Sequence, residues 1–541
     1  MSQSIPAFLI FWAVWILIPI LVDGLDMLFH AITVVFFRRK IDTDEITDDE
    51  LPRISIIIPA YNEEENVGRC INSLKIQDYP HDKLEVIVID DGSTDQTAEL
   101  VWEHVSGNGN GHTNGKTGNG VKINGKFLPV GDFDGVITLL DKGKQGKSGA
   151  LNTGIAVAHG EIIINIDSDV VLAPHALRST ALAFIADETL VAATGNIRAS
   201  WDIVDERDEY GNIVLDPDTE EPITRDLNAG ETWMARSQFL EYLSAFSLGR
   251  EAQDRTRTMY TLAGAYSAFR REILLDSEGY RRLTVSEDTD LTLDIQRREG
   301  RVGFLRDAIV YVEPLLKWDD LYAQRVRWHR GQLEVCAVHQ DIIAKRAFGP
   351  LGMIGLPKML LIDHSMAFPR LVWVMLLPLL VAFGYSPMLI FWAIVIMYGF
   401  YVLIEFTHIL IEHHLVDEDT KPMVWDSLSY SLTMPFFRFI VFYFRLAGYL
   451  QAMLEPPEWT VAGPVENLRN DLDKAQIVAM TLLGGFLARF EALDPRAALA
   501  AWTLVARRRT RRLVLRFGLL SLIALITVMV LFGGISHAAG S

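Results

Sequence analysis

The chain has 541 residues, half of them hydrophobic, and a formal net charge of −19. It is too apolar for an ordinary soluble enzyme and long enough for one large catalytic domain plus a membrane part. The acidic balance argues against a nucleic-acid partner, whose phosphates call for a basic surface. Only Cys70 and Cys336 occur, far apart, so no disulfide framework is implied.

Ile5 to Phe37 is apolar apart from Asp23, Asp26 and His30, and Arg38-Arg39-Lys40 follow. A secretory signal would carry its charge in front of a shorter apolar core, so residues 1–40 read as a retained transmembrane anchor. Basic residues stay cytoplasmic, which puts Met1 outside and the next domain in the cytosol. A short span followed by an interfacial helix is the alternative that Asp23 and Asp26 leave open.

From Leu51 to about residue 316 the pattern is α/β. Ile54 to Pro59 reads as a strand, and Ala60-Tyr61-Asn62-Glu63-Glu64-Glu65 as the opening of a helix running to about Gln77. Leu84 to Ile89 is a second strand whose tip, Asp90-Asp91-Gly92-Ser93-Thr94-Asp95, supplies a good N-cap for the helix after it. Strands alternating with helices predict a doubly wound, mainly parallel sheet. Two stretches break the pattern: Gly/Asn-rich residues 106–135, with a hairpin expected around Val121 to Val130, and an acidic, turn-rich segment at 202–232. Both are expected to lengthen loops without touching the sheet.

Val136 to Leu140 is a strand feeding Asp141 to Asn152. Gly146-Lys147-Ser148 has the tail of a phosphate-binding P-loop, but Asp141 stands where that motif needs glycine, so the motif is rejected. What survives is Lys147, flanked by glycines at a helix start, where anionic phosphate can sit.

Ile162 to Ile166 is a run typical of a strand buried on both faces, and it ends in Asp167-Ser168-Asp169. Ligands bind at the carboxyl ends of such strands. Two carboxylates there suit a divalent metal, Mg²⁺ or Mn²⁺, that grips a diphosphate; two solvated aspartates at a turn are the alternative. A helix over Pro174–Ala186 and a strand over Val191–Gly195 follow, and Gly264-Ala265-Tyr266 reads as a small-residue break before a helix. Ser286-Glu287-Asp288 falls at a helix N-terminus, where the helix dipole alone accounts for acidic residues.

Trp318 to Val338 is an amphipathic helix carrying Gln324-Arg325-Val326-Arg327-Trp328, and residues 317–365 read as amphipathic interfacial helices. Met366–Phe383 and Pro387–Ile411 form an expected membrane hairpin. Ser427–Met453 carries Arg438 and Arg445 on one face; the cost of arginine in lipid favours an interfacial position over a spanning one. Residues 454–512 are then cytosolic, and 513–534 hold a last transmembrane helix.

Four elements occur in order: Pro59-Ala60-Tyr61-Asn62-Glu63 with Asp90-Asp91-Gly92-Ser93, then Asp167-Ser168-Asp169, Ser286-Glu287-Asp288, and Gln324-x-x-Arg327-Trp328. With flanking membrane helices, the chain resembles the family 2 membrane glycosyltransferases of GT-A fold. Among these it is similar to the processive synthases of poly-N-acetylglucosamine, chitin oligosaccharide, hyaluronan and cellulose. The resemblance implies a GT-A sheet, doubly wound and mixed, with transmembrane and interfacial helices. It implies that Ala60, Tyr61, Glu63, Asp90 and Asp91 hold the nucleotide, with Lys147 and Ser168 beside it. Asp167 and Asp169 would bind it partly through Mg²⁺ or Mn²⁺, Arg327 would pair with the diphosphate, and Asp288, next to Glu287, would be the base. Gln324 and Trp328 would receive the acceptor sugar, and Trp459-Thr460 stands about where related synthases carry a gating loop. The donor implied is a UDP-sugar, UDP-GlcNAc by likeness alone, and the partners are a glycan acceptor and the lipid bilayer. The location implied is the plasma membrane, multi-pass, with the catalytic domain cytosolic. Transfer of one sugar to a lipid carrier or short glycan is the alternative to polymer extension, and an inactive scaffold of an export complex is a third reading. The need for an accessory export subunit stays open.

Overall fold

The computed structural model describes residues 20–36, 46–105 and, with breaks of which 215–222 is the longest, 120–365, together with Val381 and 385–454. Its centre is an eight-stranded sheet. The strands are β1 (Ile54–Ala60), β2 (Leu84–Asp90), β5 (Val136–Asp141), β6 (Ile162–Ile166), β7 (Val171–Leu172), β8 (Leu190–Ala199), β9 (Tyr266–Arg270) and β10 (Arg301–Val312). Their order is β5-β2-β1-β6-β9-β8-β10-β7, and a separate hairpin pairs β3 (Gly120–Ile123) with β4 (Lys126–Pro129). Pairings of β1 with β2 and β6, β2 with β5, and β8 with β10 are parallel; β9 and β7 pair antiparallel. The expected mixed, mainly parallel sheet is therefore present.

Alternation along β1 explains why the sheet is covered on both faces. Ile54, Ile56 and Ile58 face one apolar cluster with helices α2 (Val67–Lys75), α3 (Thr97–Val105) and α5 (Ala176–Ala186), whereas Ile57 faces another. That second cluster includes Leu151 and Ile155 of α4 (Lys147–Val157) and Leu291 and Ile295 of α7 (Glu287–Arg297). Period-two side chains of a central strand can be buried on both sides only when helices cover both.

Several local expectations change. The first helix begins at Val67, not Ala60, because β1 runs through Ala60 and Asn62 takes a positive φ of 55°. Gly264-Ala265 precedes a strand, β9, which is inserted antiparallel between β6 and β8. The insertions do reach the sheet: Val121 and Ile123 of the hairpin and Ile203 of the second insertion pack on Val171 of β7 and Tyr311 of β10. Their apolar residues cover the sheet edge that β7 would otherwise expose.

Beyond the sheet lie α6 (Ala229–Tyr242), continued by a π-helical turn at Leu243–Leu248, then α8 (Trp318–Val338), α9 (Pro387–Leu415) and α10 (Met434–Leu454). The α9 helix has 29 residues and is long and apolar enough to cross a bilayer; at 1.5 Å per residue it spans about 43 Å, against a hydrocarbon core of about 30 Å. The helix Leu25–Phe36, α1 in chain order, rests beside its later half through Val34, Ile411 and Leu415. Two arginines of α8 are turned away from its surface: Arg325 and Arg330 are 1% exposed and pair with Glu241 and Glu334. Arg438 of α10 likewise turns inward, to Glu405 and to Ser244 Oγ at 2.9 Å, and Arg445 donates to the Asp363 carbonyl at 2.6 Å. The expected spans at 366–383, Val381 apart, and 513–534, and Trp459 and Thr460 with their segment, lie outside the described residues.

Candidate active site

The parallel strands bring their carboxyl ends to one level. Ala60 pairs in register with Asp90, and Asp90 with Asp141, while β6 ends just before Asp167. Tight side-chain bonds join the loops after β1 and β2: Ser93 Oγ accepts from Asn62 N–H at 3.0 Å, and Asn62 Oδ1 accepts from Thr94 N–H at 2.8 Å. Thr97 Oγ1 accepts from Glu63 N–H at 2.8 Å. These bonds fix the backbone that carries Tyr61 and Glu63.

Asp90 and Asp91 are both buried, and their bonds differ. Asp90 Oδ1 accepts from Ser93 N–H at 3.0 Å and from the Ser93 hydroxyl at 2.5 Å, holding its own turn. Asp91 spends both oxygens on the loop before α4, accepting from Gln145 N–H at 2.5 Å and Gly146 N–H at 2.7 Å. Gly146 needs its positive φ of 74° for this grip. Asp91 thus sets the position of Lys147, the first residue of α4. Tyr61 is 40% exposed and receives a hydrogen bond from Lys144 Nζ at 3.0 Å.

Lys147 Nζ lies 2.5 Å from Asp167 Oδ1. Burial works against its charge, but Asp167, Glu287 and Asp288 outweigh that and hold the ammonium well above the ordinary lysine value. Asp288 opens α7; its Oδ1 accepts from Thr289 N–H at 2.7 Å and its Oδ2 from Gly264 N–H at 3.2 Å. Gly264 marks the centre: a side-chain carbon there would lie 3.4 Å from Lys147 Nζ, 3.6 Å from Asp288 Oδ2 and 3.9 Å from Asp167 Oδ2. The carboxylates of β6 and α7 therefore flank one space on either side of a lysine.

Crowded carboxylates hold protons more tightly. Burial and then the charge of Asp288 raise Glu287 to about 7, although Lys147 opposes the shift. Solvent reaches Asp169, yet the enclosing cleft, with Asp167 beside it, raises its carboxyl to about 6. Glu63 rises to about 7, through burial first and then Asp169 and Asp167. Burial, with Asp167 nearby, also lifts Asp288. Ser168 is buried between the two aspartates.

This surplus of negative charge suits the expected metal. Asp167 and Asp169 offer hard oxygens, and their crowding is relieved by a cation. Among the described residues no three His, Cys, Asp or Glu side chains form a closed cage. Two carboxylates suit an ion such as Mg²⁺ that keeps waters and takes the rest of its shell from phosphate oxygens.

The segment with Gln324, Arg327 and Trp328 reaches the site through α8. A side chain at Gly331 would fall 2.0 Å from Ser286 Oγ, so α8 presses directly on the segment leading into Glu287 and Asp288. Arg327 lies one turn before Gly331, on the same face. Trp328 is half-buried, with Phe246 edge-on at 5.8 Å between ring centres. Gly264, Thr289 and Asn66, whose amide donates to Glu63 Oε2 at 3.1 Å, were not evident as site residues in the sequence. Small residues before an aromatic strand were the only signal for Gly264.

Residues 55–276 match Glycosyl transferase family 2, and residues 222–406 match Glycosyl transferase family group 2. These matches support a family 2 glycosyltransferase domain in this part of the chain. A probable glycosyltransferase of Bacillus subtilis, YdaM, is 26% identical over 54% of this chain and 59% of its own length. The poly-beta-1,6-N-acetyl-D-glucosamine synthase of Staphylococcus aureus strain COL is 24% identical over 61% of this chain and 65% of that protein. The chain thus spans about three fifths of the length of these relatives. Among solved structures, the mannosyltransferase PcManGT of Pyrobaculum calidifontis, in complex with GDP-Man and Mn²⁺, has 18% identity and a TM-score of 0.48. That alignment covers 82% of this chain and 99% of the other.

Proposed function

We propose that the protein is an inverting, membrane-embedded glycosyltransferase that moves a hexose, GlcNAc by likeness to the synthases, from its UDP-sugar onto the end of a β-linked glycan. The observation that carries the reading is the convergence of Asp288, Asp167 and Lys147 within 4 Å of one point beside Gly264. A sugar there would have a base on one side and the diphosphate's ligands on the other.

In this reading Tyr61, Glu63 and the Asp90 turn cradle the nucleoside, while Asp91 acts by holding the lysine loop. Asp167 and Asp169 would hold Mg²⁺ or Mn²⁺, which when bound offsets the charge building on the leaving diphosphate. Lys147 adds a second positive charge at the same place, and Arg327 is the group on α8 suited to a bidentate pair with a phosphate. Asp288 takes the proton of an acceptor hydroxyl as that oxygen bonds to the anomeric carbon. The bond from that carbon to the β-phosphate oxygen breaks, and UDP departs with the electron pair. One displacement inverts the centre, so an α-linked donor gives a β-glycoside. The raised carboxyl of Asp288 suits a base, because a more basic carboxylate has more driving force for proton removal. Trp328 offers an apolar face for the acceptor ring and Gln324 a hydrogen bond at its edge.

The later half of α9 rests against the sheet domain through Glu412, whose carboxylate accepts from Ser247 Oγ at 3.1 Å. That contact holds the catalytic domain against the helix, and the basic Arg38-Arg39-Lys40 flank supports a cytosolic side at the plasma membrane, with the product passing outward along the helices. Screening purified full-length protein against UDP-sugars for UDP release, with product length on a gel, tests the reading. UDP-GlcNAc should give long products, and single additions only would overturn processivity. Asp288→Asn should lower transfer by about 10³-fold with UDP affinity, read by calorimetry, unchanged; full activity would overturn the base assignment.

A further inference from the structure

We infer that Arg325, held by Glu241, is a positioning residue that sets both proposed acceptor groups, Gln324 and Trp328; the inference rests on the acceptor role proposed above. Arg325 is 1% exposed, so it meets no solvent and is placed entirely by its neighbours. Its guanidinium carbon lies 4.2 Å from the centre of the Trp328 ring. One nitrogen, Nη1, donates to Gln324 Oε1, and the other, Nη2, donates to Glu241 Oε2 at 2.5 Å. A single side chain thus touches both groups expected to meet the acceptor and ties them to α6.

Each contact has a consequence. A guanidinium stacked on an indole occupies one face and leaves the other for a sugar ring. Trp328 stands three positions after Arg325, the helical spacing that puts both on one side of α8. Phe246 meets the indole edge-on, with an interplanar angle of 87°, and blocks rotation in that direction. Arginine has no acceptor atom, so Gln324 must turn its carbonyl oxygen toward Arg325. The amide nitrogen then faces the Tyr242 hydroxyl with one hydrogen and keeps the second to donate to a sugar hydroxyl. Glu241 cancels the buried charge, without which the arginine would be costly to keep in place. Lysine cannot reproduce the arrangement, because it lacks the flat fork that stacks and binds at two points.

The test uses the full chain purified in detergent, labelled with 5-fluorotryptophan, with the Trp328 ¹⁹F resonance assigned by its loss in Trp328→Phe. Glu241→Gln and Arg325→Lys are compared with the parent for that resonance, for UDP-GlcNAc hydrolysis without acceptor, and for transfer to a β-linked GlcNAc oligosaccharide. Both variants should shift the resonance and raise the acceptor KM about tenfold, with hydrolysis within twofold. Glu241→Gln serves as the milder variant should Arg325→Lys fold poorly. An unmoved resonance in a folded Glu241→Gln protein overturns the inference, whatever the activity does. A shifted resonance with hydrolysis and transfer falling together overturns the acceptor role of Trp328, and with it the inference.

Discussion

At the scale of single residues, Glu287 has the most direct consequence for pH. It is 4% exposed, and its carboxyl is raised from an ordinary value of 4.5 to about 7. Between those two values the folded chain holds a proton that the unfolded chain has released. Its contribution to stability is therefore complete below about pH 4.5 and is lost as pH rises through 7. Glu287→Gln removes that loss, and the shift corresponds to on the order of 3 kcal/mol. Thermal unfolding without nucleotide or divalent ions should show the variant more stable than the parent at pH 8 and equal to it at pH 4.5. A constant difference across that range would refute the assignment. Glu63 and Asp169 shift in the same direction, so the parent's slope should shrink in the variant but not vanish.

At the scale of elements, two glycines decide how α8 sits. Gly331 lets it press on Ser286, and Gly448 lets α10 approach its other side, where a side-chain carbon would fall 2.8 Å from the Val326 carbonyl oxygen. In Gly331→Ala the new carbon would lie 2.0 Å from Ser286 Oγ and 2.8 Å from Ser286 Cβ. The hydroxyl can rotate away but the carbon cannot, so α8 must back off, taking Arg327 and Trp328 with it. A displacement of about 1 Å in a reacting geometry costs about 10²-fold in rate, and overpacking costs roughly 1–3 kcal/mol. Transfer should fall accordingly, and adding Ser286→Gly should restore most of it. No restoration would mean that the loss arises elsewhere. The strands, the position of α8 and the acidic strand tips were legible in the sequence, because periodicity and turn chemistry are local. The place of β9 was not: Tyr266–Arg270 has little β-branched character, and only its partners β6 and β8 make it a strand. The insertions misled for the same reason, since Val121, Ile123 and Ile203 find their apolar partner only in three dimensions.

Across the whole molecule, the question is how a helix fit for lipid is fixed to a sheet domain. Three ionic contacts lie along α9 and the loop after it. Glu405 meets Arg438, the fully buried Glu412 has Arg306 of β10 at 3.6 Å, and Asp417 Oδ1 lies 2.5 Å from Arg198 of β8. Partners such as Arg198 and Asp417, 219 residues apart, carry no mark in the sequence, where Arg438 counted only as a limit on membrane insertion. Arg198 is 2% exposed and also donates to Thr420 Oγ1 at 2.6 Å, so removing Asp417 leaves a buried cation with a neutral acceptor and the more distant charge of Glu412 to offset it. Breaking a buried pair from one side costs roughly 3–5 kcal/mol, and the partial exposure of Asp417 lowers that to about 2 kcal/mol here. Replacing both partners, as in Arg198→Met with Asp417→Leu, removes the stranded charge and should cost less than Asp417→Ala alone. Unfolding of the full chain in detergent, read for Arg198→Met, Asp417→Leu and the double, gives the coupling directly. If the pair anchors α9 to the sheet, Asp417→Ala should also release residues 190–199 to faster amide exchange while residues 54–60, on the far side of β6, stay protected. Equal release in both strands would mean that the variant loosens the domain as a whole, and the anchoring role would fall.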